Sequence, residues 1–165
     1  MSLASVKADL AARAPDLTVL ETEASSATVA LAAAAHGVEP ARIAKTLSLR
    51  LGERVVLLVA RGDARLDNRK AKAAFGVKPR MLGAEEVEAI TGHPVGGVCP
   101  FGLATPLPVY CDVSLKKAFE EVVPAAGSPH SAVRITPERM AALTGAEWID
   151  VCQPPAGEGD ADPAP

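Results

Sequence analysis

Aromatic side chains are nearly missing, at 3% of 165 residues. A chain of ordinary domain length must then build its core from Ala, Val, Leu and Ile. The same scarcity argues against modules that hold single-stranded RNA on Phe and Tyr platforms. Cysteine is also sparse. Cys99, Cys111 and Cys152 form no C-x-x-C pair, so neither a disulfide framework nor a zinc knuckle is indicated. His36, His93 and His130 are scattered without H-x-H or H-x-x-x-H spacing, and no metal is expected. There is no G-x-G-x-x-G or G-x-x-x-x-G-K motif, which disfavours a nucleotide cofactor and leaves no cofactor expected. No apolar run approaches the ~20 residues of a membrane span. The first twenty residues carry Lys7, Asp9 and Arg13 rather than a signal peptide's apolar segment. The expectation is a soluble cytoplasmic protein with reduced thiols and no membrane partner. A formal net charge of -3 provides no global basic field, so a nucleic-acid partner must be met by a local patch.

What is present centres on Glu39 to Leu51, E-P-A-R-I-A-K-T-L-S-L-R-L. A two-residue period puts Ile43, Lys45, Leu47, Leu49 and Leu51 on one face and Ala44, Thr46, Ser48 and Arg50 on the other. That is a half-buried strand with a charge on its oily side. Stripping water from an ammonium is costly unless a partner receives it. Either Lys45 snorkels to solvent from a strand end, or it faces a cleft where a negative group arrives.

Around this strand the sequence predicts further elements in alternation. A first helix from Ser2 or Ser5 ends at Pro15, a short strand covers Leu17 to Glu21, and an Ala-rich helix runs from Ser26 to His36 before Gly37. Gly52-Glu53 reads as a hairpin turn into Val55 to Ala60, apolar on both faces and therefore a central strand. Asp67 or Asn68 caps a basic helix through Phe75, Val77 to Leu82 is a short strand, and Ala84 to Thr91 is a helix. Beyond Leu107 to Asp112, the segment Ser114 to Val122 reads as helical, Ala132 to Ile135 as a strand, and Thr136-Pro137 as a helix start. Trp148 to Val151 adds an edge strand. These elements predict an α/β fold, a single domain over residues 1–152 with a mixed central β-sheet flanked by helices. The Pro/Gly-rich acidic stretch 153–165 reads as a disordered tail.

Two segments carry no obvious structural duty. Gly92 to Gly102, G-H-P-V-G-G-V-C-P-F-G, packs four glycines and two prolines into eleven residues, which leaves a shaped loop and no regular element. Adjacent Gly96 and Gly97 let a ligand approach backbone N–H groups closely. Arg61, Arg65, Arg69, Lys70, Lys72, Lys78 and Arg80 cluster against only Asp63 and Asp67. That excess fits either a solvated helix face or a track along a phosphate backbone.

Taken in order, I-A-K-T-L at 43–47, R-G-D at 61–63 with Leu66 and Lys70, T-G-H-P-V-G-G-V-C-P-F-G at 91–102, and V-Y-C-D at 109–112 resemble the YbaK/EbsC/ProX family. That family holds freestanding aminoacyl-tRNA deacylases and the related editing domain of bacterial prolyl-tRNA synthetases. The similarity runs from about Thr22 to Asp150. It implies metal-free hydrolysis of the ester joining a mischarged amino acid to tRNA, with tRNA as partner and a prolyl-tRNA synthetase as a further one. Lys45 matches the family's essential lysine and would hold a phosphate of the terminal adenosine. The loop from Gly96 and Gly97 to Pro100 matches the G-x-x-x-P segment whose backbone N–H groups would polarise the ester carbonyl. Around them Thr46, Val98, Cys99, Phe101, Asp112 and His130 are expected to touch the substrate, and Arg61, Arg65, Arg69, Lys70 and Lys72 the tRNA.

Cys99 reads as a pocket-lining thiol rather than a nucleophile. Asp112 reads equally as a pocket carboxylate or a helix cap, and His130 as a surface histidine or a site residue. Some members carry a tyrosine before the second helix, where this chain has Leu17-Thr18-Val19-Leu20, so the amino acid removed stays open. The loop's crowding by Val98, Cys99 and Pro100 predicts a preference for Ala, Ser or Cys esters over prolyl ones. Two other readings remain: a non-catalytic tRNA- or synthetase-binding module, and a small-ester hydrolase without an RNA partner.

Overall fold

The computed structural model describes residues 2–116 and 120–153. In chain order the elements are α1 (Ser2–Arg13), β1 (Leu20–Glu21), α2 (Val29–His36), β2 (Ile43–Leu51), β3 (Arg54–Arg61), β4 (Arg65–Leu66), α3 (Asn68–Phe75), β5 (Arg80–Met81), α4 (Ala84–Thr91), β6 (Val109–Asp112), β7 (Val123–Pro124), β8 (Ser131–Ala132), α5 (Pro137–Thr144), β9 (Glu147–Ile149) and β10 (Cys152–Gln153). Local chemistry accounts for most helix ends. Thr28, Asp67 and Thr136 each accept backbone N–H bonds at helix starts, and Gly37, Gly76, Gly92 and Gly145 take left-handed conformations at helix ends.

The β2–β3 hairpin organises the molecule. Leu51 pairs with Arg54 across Gly52-Glu53, and the ladder runs to Ala44 opposite Arg61. The sheet is mixed, in the order β5-β2-β3-β6-β9, with β7 also on β2. β2 is antiparallel to β3 and β5, whereas the β2–β7, β3–β6 and β6–β9 pairs are parallel. One face packs Leu57 and Val59 against α1, Phe101, Ile135 and Met140. The other packs Leu49, Leu51, Val56 and Leu58 against α3 and Val151. Val56 to Ala60 are all fully buried, as their unbroken apolar run requires.

Several expectations needed correction. The strand expected at Leu17 to Glu21 is only β1, because Leu17 and Val19 pack onto the core as side chains of an irregular segment. Ser26 and Ala27 lie outside α2, since Thr28 is the cap. The helix expected from Ser114 begins as a 3-10 turn, Val113–Lys116; residues 117–119 lie outside the described residues, and Val122 bridges Ile135. The strand at Val77 to Leu82 shortens to β5. Gln153, assigned to the tail, pairs with Arg65 in a small β4–β10 ladder. The rest of that tail, 154–165, lies outside the described residues.

Candidate functional site

A cavity of about 290 Å³ opens beside the middle of β2. Its floor is Ile43 to Thr46 and Ser48, one wall is the segment that leads into α2, Ser26 to Val29, and another is Met81, Leu82, Ala84 and Val87. Val95, Gly96 and Val98 of the glycine-rich loop and Val123, Ala125, Ser131 and Ala132 close it. The cavity exists because the sheet is interrupted there. On the outer edge of β2, β7 pairs only with Ile43 and Ala44, and β5 only with Leu49 and Arg50. Ser48 turns its carbonyl to this edge and accepts Leu82 N–H at 3.1 Å. Leu57, opposite Ser48, gives its N–H to Pro108 at 2.9 Å, away from β2. Backbone groups alternate between edges along a strand, so Thr46 also turns its N–H and C=O outward, into the gap. Its Oγ1 is buried and has no hydrogen-bond partner.

Lys45 is half-buried. Its ammonium donates to the carbonyl of Gly62 at 3.2 Å and to that of Ala64, in the turn that carries R-G-D. Burial pulls its pKa below the ordinary lysine value, opposed by the nearby Cys152 and Asp63. An ammonium has three donors. Two carbonyls therefore hold it in place and leave one donor for an anion. The lysine neither snorkels freely nor faces a bare cleft; the turn after β3 orients it.

The glycine-rich loop divides its labour. Gly96, with φ +93°, and Val98 stand on the cavity wall. Gly97 is turned to the scaffold: its N–H goes to Pro94 at 2.9 Å, its carbonyl accepts from Gly127, and an added Cβ would lie 2.5 Å from Ser128 N. Pro100 borders a separate shallow hollow beside Asp9 and Gly102. Cys99 and Phe101 are fully buried in the core under the loop. Burial pushes the Cys99 thiol up to about 12, so it stays protonated, and it is no part of the cavity wall. His93, also fully buried, ties the loop together through Nε2, 2.7 Å from the Phe101 carbonyl.

Asp112 serves as a cap and tie. Its carboxylate accepts Ser114 N–H at 2.9 Å and Val151 N–H at 2.8 Å, and at 1% exposure it lies away from the cavity. His130 is exposed on the turn behind Gly97, with Nδ1 3.2 Å from the Ala24 carbonyl. Arg61 is buried against Asp63 at 2.7 Å, because it ends the central strand and cannot face a polymer outside. Lys70 reaches Asp150 and the Cys152 carbonyl. Arg65, Arg69 and Lys72 remain exposed. Among the described residues no three His, Cys, Asp or Glu gather as a metal site, and no helix is long and apolar enough to cross a membrane.

Sequence reasoning missed the walls from α2, α4 and β8. Their side chains, Val29, Val87 and Ala132 among them, look like ordinary packing residues in the sequence. It also missed α1 as the loop's support, where Asp9 accepts Gly102 N–H at 2.8 Å and an added Cβ on Gly102 or Gly127 would strike the α1 backbone.

Residues 23–143 match the family described as the aminoacyl-tRNA editing domain. The chain is 50% identical over 155 residues to Uncharacterized protein YwhH of Bacillus subtilis (strain 168), covering 93% of this chain and 98% of that one. It is 30% identical over 118 residues to a protein of Enterococcus faecalis (strain ATCC 700802 / V583) named "Putative Cys-tRNA(Pro)/Cys-tRNA(Cys) deacylase EbsC", covering 70% and 71%. A solved structure described as "a putative trans-editing enzyme for prolyl tRNA synthetase" superposes with a TM-score of 0.83 at 37% identity, over 93% of this chain and 98% of that one. With the motif order, the mixed sheet and the family match in agreement, the chain belongs to the aminoacyl-tRNA editing family, in its YbaK/EbsC branch.

Proposed function

We propose that the protein is an aminoacyl-tRNA deacylase acting in trans, removing a small amino acid such as Ala, Ser or Cys from mischarged tRNA-Pro without a metal. The observation that carries this reading is the placement of Lys45, half-buried and oriented by two carbonyls, on the wall of a mostly apolar cavity that also holds Gly96 and Val98. In this reading the free donor of Lys45 takes a phosphate of the terminal adenosine. A backbone N–H of the loop polarises the ester carbonyl, and a ribose hydroxyl of the tRNA helps orient the water. Water adds to the carbonyl, the ester C–O bond breaks, and the ribose hydroxyl and free amino acid leave. Positioning and preorganised donors are enough for an ester, which is already activated.

The cavity volume and the side chains of Val98 and Val87 favour small esters. The exposed cations Arg65, Arg69 and Lys72 would hold the acceptor stem, and a prolyl-tRNA synthetase is the natural source of the substrate. The test is release of free amino acid from Ala-, Ser- and Cys-charged tRNA-Pro and tRNA-Thr beside a protein-free control. Acceleration of small esters with prolyl-tRNA spared supports the reading; acceleration of none of them overturns it.

A further inference from the structure

Thr46 holds three polar groups without a partner in one place. Its N–H and C=O face the gap between β7 and β5, and its Oγ1 is buried and unpaired. Such groups inside a largely apolar cavity are costly to leave unsatisfied. The gap lies between the residues that β7 and β5 pair, along Lys45 to Ser48, because β7 ends at Pro124 and α4 begins soon after β5. On the walls near it Ser26, Thr28 and Ser131 are already engaged, with the Pro129 carbonyl, Leu31 N–H and Ser128 respectively, and Ser48 lies two residues on along the same strand face, with its own carbonyl taken by Leu82 N–H.

We propose that Thr46 reads the α-amino group of the aminoacyl ester, which enters the gap as a one-residue strand. This rests on the deacylase reading above. The ligand's amino N–H donates to the Thr46 carbonyl, and its ester carbonyl accepts from Thr46 N–H. That is the two-bond exchange of a hydrogen-bonded antiparallel pair. Thr46 Oγ1 accepts a second amino hydrogen. Lys45, next in the chain, sends its ammonium to Gly62 and Ala64 on the alternate face, so the two cations do not compete. The ester carbonyl keeps a second lone pair for the glycine-rich loop. The ligand class is thus narrower than an ester of tRNA: a free α-amino ester.

The test uses the full chain with alanyl-tRNA and propionyl-tRNA, which differ by the amino group alone and not by added bulk. Each rate is divided by the spontaneous rate of that ester in the same buffer. The expected result is an acceleration about tenfold or more greater for alanyl-tRNA, the scale of a charge-assisted hydrogen bond. Thr46→Val, which keeps the shape, should lower the alanyl acceleration several-fold more than the propionyl one, and Thr46→Ser should retain the preference. Equal acceleration of the two esters, or an equal loss on both in Thr46→Val, overturns this assignment and leaves the deacylase reading standing. Acceleration of neither refutes the deacylase reading, and this one with it.

Discussion

β2 and β3 are partners in one hairpin, paired residue for residue from Ala44 opposite Arg61 to Leu51 opposite Arg54. They nevertheless meet different fates. β3 has a strand on each edge along its centre, and Val56 to Arg61 are buried without a break. β2 is covered at both ends, yet three consecutive residues between them, Lys45, Thr46 and Leu47, are only partly buried, with no strand beside them on the outer edge. A fully paired strand satisfies its backbone and offers a ligand nothing. An interrupted one keeps backbone donors and acceptors free while its neighbours hold it rigid. The candidate site sits on the interrupted strand and draws its rigidity from the complete one.

The sharpest way to break this contrast is to truncate one side chain in each strand. Lys45→Ala should lower deacylation about a hundredfold or more, the scale set by loss of a positioned charged donor, with stability within about 1 kcal/mol because a desolvated ammonium is removed too. Leu58→Ala, across the hairpin, should cost about 2–5 kcal/mol by leaving a cavity in the core. Amino-acid release and urea denaturation check the pair. Near-wild-type turnover in Lys45→Ala would remove it from the site, and unfolding would make it structural.

The comparison sharpens at the loop. Gly97→Ala places a Cβ 2.5 Å from Ser128 N, a backbone atom that cannot move aside cheaply. The expected cost is about 1–3 kcal/mol, with a loss of activity as Gly96 and Val98 shift. Denaturation midpoints and turnover in the same preparation check this.

A smaller effect is expected on the outer surface. Neutralising Arg65, Arg69 and Lys72 together should weaken tRNA binding and flatten its salt dependence, by about 0.7–0.9 in the logarithmic slope for each phosphate that no longer meets a cation. Titrations at several salt concentrations read it directly, and an unchanged slope would place the RNA elsewhere.

The mildest prediction concerns pH. Burial holds His93 below its ordinary 6.5, partly offset by the Phe101 carbonyl. The unfolded chain therefore binds a proton near pH 6.5 that the folded chain refuses. Above that pH the ring is neutral in both states and costs nothing. As pH falls below it, stability should decline by at most about 1.4 kcal/mol per unit until the folded value is reached. Urea denaturation at pH 7.5 and 5.5 should show the loss, and His93→Gln should flatten it. His36 is held low by its own burial and by Arg134; it titrates in the same range, so it belongs in the comparison as His36→Gln.

Much of this was legible in the sequence, for reasons that differ from residue to residue. Caps at Asp67 and Thr136 and stops at Gly76 and Gly145 act within one turn of chain, so local chemistry identifies them. The apolar run of β3 announces a strand covered on both faces. The strand of Lys45 was visible through its alternation, with Thr46 beside it on the opposite face. The loop misled where local composition suggested one purpose for all its residues. Gly96 and Gly97 are neighbours of the same type, yet Gly96 faces the cavity and Gly97 the Gly127–Ser128 backbone. Cys99 and Phe101 lie in that loop but point into the core.

The amino-acid sequence by itself determined most of the helices, the central hairpin with its lysine strand, the mixed sheet and the motif order that marks the family, because periodicity, capping and motif spacing all lie along the chain. Tertiary structure alone decided that β7 and β5 stop short of each other on β2, that Asp112 ties Ser114 to Val151 rather than lining the cavity, that Arg61 turns inward, and that α1 braces the loop. Each of these depends on what a distant segment places opposite a residue. A gap in a sheet edge has no local signature, since it is made of pairings that fail to occur between residues as far apart as Thr46 and Ala125.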